Sequence, residues 1–307
     1  MRAAFLGNAP WSVPPLEALT DSDHDVAVVV TRDPRPAGRG GRLRPTAVAE
    51  AAGRLGLPLL EAPTVKRGEG LEALRRARPE VLAVVAYGEI LPAEVLSIPT
   101  VAPVNVHLSL LPALRGADPV RRAILEGLEA TGVTTIRMDE GMDTGPILLQ
   151  AEEPIRHDDD AGSLGTRLAR IGGRLLVETL DGLEAGTLED RAQDDRAATL
   201  APKLRPDEEW IDWSAPAEAV VRRVRALSPE PAARTRFRGR VVKVLRATPA
   251  AEAGPPGSIV EASRDRLVVA AGEGSVILDV LVPEGRPPMD GAAFARGRRP
   301  KLGERFG

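Results

Sequence analysis

Residues 104–124 read VNVHLSLLPALRGADPVRRAI. Asn105, His107 and Ser109 alternate with Val104, Val106 and Leu108. Successive side chains of a strand point to opposite faces, so the three polar groups share one face and the three apolar ones the other. An amide and an imidazole side by side at the end of an apolar strand need partners or a purpose, because buried polar groups without either are costly.

Around this stretch, the runs RAAFLG, DVAVVVT, LPLLE, VLAVVAY, APVNVH, GVTTIRM and ILLQAEE are short and rich in strand-forming residues. Helix-like segments such as TAVAEAAGRLG and GLEALRRARP separate most of the first five. The alternation predicts an α/β fold built on an open, mostly parallel, Rossmann-like sheet with helices on both faces. Such sheets place ligands beyond the carboxyl ends of their strands. Residues 160–185 carry one long helical pattern, with Asp160 near its start and Gly186 just past its end. Residues 189–207 lack periodicity and read as a linker. Helical AEAVVRRVRAL then precedes RVVKVLRA, GSIVEAS, DRLVVAAG and SVILDVLVP, whose turn-punctuated spacing predicts a small OB-like β-barrel. The expected organisation is an N-terminal domain over 1–188, a linker over 189–207 and a C-terminal domain over 208–307.

The balance of 43% hydrophobic and 28% charged residues over 307 positions is that of a globular protein large enough for two domains. The absence of cysteine excludes disulfides and thiolate metal sites and fits a reducing compartment. With no signal peptide and no run of apolar residues long enough to span a bilayer, a cytoplasmic protein without membrane contact is expected. The formal charge of −3 conceals an asymmetry: residues 1–207 carry −7 and residues 208–307 carry +4. Nine Arg and Lys crowd into residues 221–246 against Glu230 alone, and RDPRPAGRGGRLR at 32–44 holds five Arg and one Asp. Either cluster suits a solvated surface or a local anionic partner.

Of the three histidines, His24 in DSDHD and His157 in RHDDD lie in polar turns where solvated side chains are expected, and only His107 lies in an apolar strand. Asp143 belongs to MDEGMDTGPILL. A lone DTG cannot supply the paired carboxylates of an aspartic protease, and Asp143 also suits a turn-capping role. The nucleotide-binding GxxxxGK[ST], zinc-binding HExxH and serine-hydrolase GxSxG patterns do not occur. Taken together, Asn105, His107 and Asp143 suit acyl transfer without a covalent enzyme intermediate. An amide and an imidazole can bind the oxyanion of a tetrahedral intermediate, and a carboxylate can orient the imidazole and move a proton.

NVHLSLLPALRGADPVRRAI, with TGVTTIRMDEGMDTGPIL downstream and VVAYGEILP upstream, resembles the tetrahydrofolate-dependent formyltransferases. RPAGRG is similar to the insertion loop of the branch that acts on tRNA. KLRPDEEWIDWS, PPGSIVEA and VILDVLVPEGRPPMDGAAFARG are similar to that branch's inter-domain junction and C-terminal domain. The resemblance implies transfer of formyl from 10-formyltetrahydrofolate to the α-amino group of initiator methionyl-tRNA by a monomer, with Asn105, His107 and Asp143 catalytic and no metal. It implies a folate site at Tyr87, Gly88, Ile90, Leu91, Ser109, Leu110, Leu111, Pro112, Asp139, Glu140 and Gly141. It implies tRNA contacts at Arg35, Arg39, Arg42, Arg44, Arg234, Arg236 and Arg238. The chain departs from the family pattern in the order RDPRPAGRGG and at Glu230, where the family commonly has Trp. A formyltransferase for a small amine, an amino-sugar nucleotide or a purine precursor, would keep the same three residues. A non-catalytic RNA-binding protein would use the basic clusters and leave those three without a role.

Overall fold

A computed structural model describes residues 1–37 and 42–307. The chain divides into two compact units, one of Met1–Pro119, Ala130–Pro154 and Gly165–Pro202, the other of Val120–Glu129, Ile155–Leu164 and Lys203–Gly307.

In the first unit the strands are β1 (Arg2–Gly7), β2 (Asp25–Thr31), β3 (Arg35–Ala37), β4 (Arg42–Arg44), β5 (Leu59–Glu61), β6 (Val81–Val85), β7 (Ala102–His107), β8 (Ala130–Arg137) and β9 (Ile147–Pro154). Seven of them form one sheet in the order β5-β2-β1-β6-β7-β8-β9. The first five are parallel, and β8 and β9 are antiparallel additions at one edge. Every residue of VLAVV in β6 is buried, as a parallel strand covered on both faces requires. Helices Val13–Thr20, Ala47–Leu55 and Gly68–Ala77 provide crossovers. Their apolar residues recur at helical spacing, as at Val48, Ala49, Ala51 and Ala52. Thr46 caps the second of these helices by accepting from the Ala49 N–H at 3.0 Å. The chain leaves β1 outward to β2 and β5 and returns on the other side at β6, so the strand order switches between β1 and β6. A crevice opens at such a point.

Short strands β3 and β4 form a separate ribbon with Arg35 opposite Arg44 and Ala37 opposite Arg42. Arg39 lies outside the described residues. A 25-residue helix covers Ala161–Ala185, with Asp160 Oδ1 accepting from the Ser163 N–H at 2.8 Å at its start. None of the described helices is long and apolar enough to cross a membrane.

The second unit holds an antiparallel sheet of β10 (Ala233–Phe237), β11 (Arg240–Ala250), β14 (Ser275–Pro283), β13 (Leu267–Ala270) and β12 (Ile259–Ala262), in that spatial order, with β15 (Met289–Asp290) beside β14. Residues 305 and 306 bridge to Ser258 and Phe237, so the edges at β10 and β12 are covered as in a small barrel. The helix Ala217–Leu227 buries Val220, Val221, Val224 and Leu227 along one stripe. Each of these is worth about 1.5–3 kcal/mol when fully withdrawn from water. Phe237, Phe294 and Phe306 pack with Trp213 at the centre of this core, with ring centroids 5.0 to 6.2 Å apart.

Candidate active site

Strand β7 separates its two faces as its alternation requires. Val104 and Val106 are 0% and 3% exposed. A Cβ added to Gly172 of the long helix would meet Val106 Cγ1 at 2.9 Å, which shows how closely that helix covers the apolar face. Asn105 and His107 point the other way, and the loop between β8 and β9 brings Asp143 onto their face. Asn105 Nδ2 donates to Asp143 Oδ1 at 3.1 Å, and His107 Nδ1 lies 3.6 Å from Asp143 Oδ2. The Gly116 N–H donates to the same Oδ2 at 2.9 Å. Asp143 holds this place at φ +57, a left-handed conformation that costs a non-glycine residue of order 1 kcal/mol and is kept only where its surroundings determine it.

His107 is buried, and its Nε2 lies 2.9 Å from the carbonyl oxygen of Leu114. A carbonyl only accepts, so Nε2 carries the proton in the neutral ring and Nδ1 faces the carboxylate with its lone pair. Nδ1 is therefore where this ring would take up a proton. Asn105 uses one of its two amide protons on Asp143 and has a second to offer.

The loop after β6 stands at the switch point. Tyr87 is 2% exposed and Leu91 1%, both packed in the apolar cluster of Leu82, Val84 and Val95, while Gly88 and Ile90 are exposed. Asn8, just past β1, donates from Nδ2 to the Tyr87 carbonyl, and Arg32 Nη2 donates to the Gly88 carbonyl at 3.0 Å. Burial, with Glu89 nearby, pushes the Tyr87 phenol well above its ordinary value, against a smaller opposing effect of Arg32. Met138 packs against the Tyr87 and Leu91 cluster and so brings exposed Asp139, Glu140 and Gly141 to the same region. Asp139 Oδ1 accepts from the Gly141 N–H at 3.0 Å and from Thr144 Oγ1 at 2.8 Å, shaping the loop that ends in Asp143.

The remaining candidates differ in burial. Ser109 is fully buried and donates to the Ala113 carbonyl at 2.6 Å. Leu111 is 3% exposed, its N–H bonded to Thr134 Oγ1 and its carbonyl to Gln150 Nε2. Leu110 and Pro112 are half-buried. His24 corrects the expectation of a solvated turn residue. It is 6% exposed, with Nδ1 2.9 Å from the Met1 amino nitrogen and Nε2 3.2 Å from Asp181 Oδ1, because helix residues far along the chain close over the turn. His157 is exposed.

The formyl transferase model matches residues 1–180, and the formyl transferase C-terminal domain model matches residues 203–299. The chain belongs to the formyl transferase family. The methionyl-tRNA formyltransferase of Pseudomonas paraeruginosa is 44% identical over 299 residues, covering 97% of this chain and 96% of that one. That of Heliobacterium modesticaldum is 43% identical over 317 residues, covering both chains fully. Among solved structures, HypX from Aquifex aeolicus in complex with tetrahydrofolic acid superposes with TM-score 0.69 at 19% identity. That match covers 99% of this formyltransferase chain and 48% of HypX. The N-formyltransferase from Helicobacter canadensis, in complex with folinic acid and dTDP-3-aminofucose, gives 0.65 at 16% identity over 90% and 98% of the two chains. These two structures share the formyltransferase fold.

The arginine candidates of this family member differ in their surroundings. Arg35 and Arg44 are exposed, directly opposed, and form no ion pair among the described residues; Arg42 is located by its backbone. Arg234 and Arg236 share a face of β10, alternating with buried Thr235 and Phe237. Arg234 Nη2 lies 2.9 Å from Glu209 Oε2, and Arg236 stacks on Trp210 with its Cζ 4.2 Å from the ring centroid. Arg238 lies in the following turn and binds both Glu304 oxygens at 2.8 and 3.0 Å.

The sequence does not single out Asn8, Arg115 or Gln193, and it marks Arg32 only as one member of the basic cluster at 32–44. Asn8 had one signal, a polar side chain just past the end of a parallel strand. Gln193 had none.

Proposed function

We propose that this chain transfers the formyl group of 10-formyltetrahydrofolate to the α-amino group of initiator methionyl-tRNA. The observation that carries the reading is the convergence of Asn105, His107 and Asp143 on one face of β7. It occurs in a chain 43–44% identical over its length to methionyl-tRNA formyltransferases. The folate would lie where the exposed Gly88 and Ile90 meet Asp139, Glu140 and Gly141. Exposed backbone groups and one apolar side chain there suit a flat heterocycle with polar edges.

The folate supplies an activated formyl group on nitrogen. The second amide proton of Asn105 would serve the oxyanion that forms when the neutral amine attacks the formyl carbon. His107 accepts the amine proton at Nδ1, and Asp143 balances the imidazolium this creates. The imidazolium then adds its positive charge beside the oxyanion that Asn105 would bind. As the oxyanion collapses to the new formamide and the bond to the folate nitrogen breaks, the same proton passes to that departing nitrogen. No residue is acylated.

The acceptor reading draws on the β3–β4 ribbon. Like charges directly opposite each other are unfavourable on a ribbon, and a phosphate between Arg35 and Arg44 would relieve the pair. Arg39 and Arg42 would extend the same grip, and Arg234, Arg236 and Arg238 of the C-terminal domain would add to it. The deciding experiment supplies labelled 10-formyltetrahydrofolate with charged methionyl-tRNA, free methionine and an amino-sugar nucleotide in separate reactions. Label in methionyl-tRNA alone is the expected outcome. Transfer to the sugar amine at equal or greater kcat/KM would replace the acceptor.

A further inference from the structure

The carboxylate of Asp143 can be no better placed than the main chain that carries it. Gln193 holds that main chain: its Nε2 donates to the Asp143 carbonyl at 2.8 Å and to the Gly145 carbonyl at 2.7 Å. Its Oε1 accepts from Nε and Nη2 of Arg115 at 3.0 and 2.8 Å. A guanidinium only donates and carbonyls only accept, so the amide can face only one way. Arg115 is itself fixed: it is 7% exposed, its N–H donates to the Thr199 carbonyl at 2.8 Å, and its carbonyl accepts from the Ala201 N–H at 2.7 Å. Its Nη2 also meets Asp195 Oδ1 at 2.8 Å. The next residue, Gly116, donates to the Asp143 carboxylate. Adjacent residues thus hold Asp143 from two sides, one through Gln193 at the main chain and one directly at the side chain.

We propose that Arg115 and Gln193 form a positioning clasp that sets Asp143 for formyl transfer, making the segment after the long helix part of the catalytic apparatus. The proposal rests on the reading of Asp143 as catalytic. The competing account is a plain tether that ties residues 191–201 to the body of the unit.

Gln193→Glu separates the two. It keeps the size of the side chain and an acceptor for Arg115, so a tether survives. It also removes both donors and sets an anionic oxygen against two carbonyls, so the placement of Asp143 does not survive. The expected result is a fall in kcat of at least about 10-fold, with KM for both substrates changed by less than about 3-fold and unfolding close to wild type. Gln193→Met, which removes the donors without adding charge, should fall in the same direction and serves if the charged variant misfolds. In single-turnover reactions the Asp143→Asn background should show no further loss when Gln193→Glu is added, because the clasp acts only through Asp143. Wild-type kcat in both Gln193 variants, or losses that multiply in the double variant, would overturn the clasp. Wild-type kcat in Asp143→Asn alone would instead overturn the reading on which it rests.

Discussion

Gly116 and Asn105 divide the Asp143 carboxylate between them, the backbone N–H of one on Oδ2 at 2.9 Å and the amide of the other on Oδ1 at 3.1 Å. Both donors are neutral. A carboxylate so held is oriented without being paired to a cation, as the proposed role of balancing a proton on His107 requires.

Asp143→Asn preserves shape but turns one oxygen into a donor that must face either Gly116 or Asn105. Formyl transfer should fall by about 10²-fold or more in kcat. Asn105→Ala and His107→Ala should each fall on the same scale, that of one lost oxyanion donor. Circular dichroism should show the fold retained. Near-normal turnover in any of the three would remove that residue from the mechanism.

Gly116 has φ +122, and a Cβ there would stand 2.8 Å from the Ala201 carbonyl oxygen. Gly116→Ala should cost about 1 kcal/mol or more in urea unfolding. It should also reduce kcat, because relieving the clash moves the N–H away from Asp143. A variant with unchanged unfolding and unchanged kcat would show that this approach is not tight.

Tyr87 is the only tyrosine in the chain, so phenolate absorbance reports on it alone. Its raised value means that the folded state keeps a proton that the unfolded state loses above about pH 10. Stability contributed by this group is therefore intact below pH 10 and declines as pH rises above it. Phenolate absorbance should appear together with loss of structure, and in urea near pH 10. A reversible titration near pH 10 with the structure intact would contradict burial as the cause. Tyr87→Phe should be neutral or stabilising, since the buried hydroxyl has no hydrogen-bond partner among the described residues.

Changing Arg35 and Arg44 to Ala together should weaken methionyl-tRNA binding. The slope of log K against log salt should drop by about one for each lost phosphate contact, with folate binding unchanged. Arg238→Ala should move that slope less, because its charge is already matched by Glu304. An unaltered slope in the Arg35/Arg44 variant would leave tRNA binding to the C-terminal unit.

What was legible in the sequence followed the range of each interaction. The position of Asn105 and His107 on one face depends only on the two-residue period of a strand, and the mostly parallel sheet follows from the alternation of strand and helix patterns. Asp143 stood out through GMDTG and the resemblance. Gln193 lies in an aperiodic stretch, and its role comes from the chain passing beside Arg115, which no local pattern encodes. Charge counting marked Arg234 and Arg238 as a basic patch, yet Glu209 and Glu304, 25 and 66 residues away, neutralise them in space. The burial of His24 is hidden from the local sequence for the same reason, since Asp181 closes over it from a distant helix.

The opposed faces of β7 also restrict how this segment can evolve. Inserting or deleting one residue between positions 102 and 107 would turn valines toward the chemistry and the imidazole toward a helix with no room for it. The apolar side of this strand can exchange one fitting side chain for another, whereas Asn105 and His107 and the number of residues around them are held by the site. The two faces of β7 therefore fix the count of six consecutive positions.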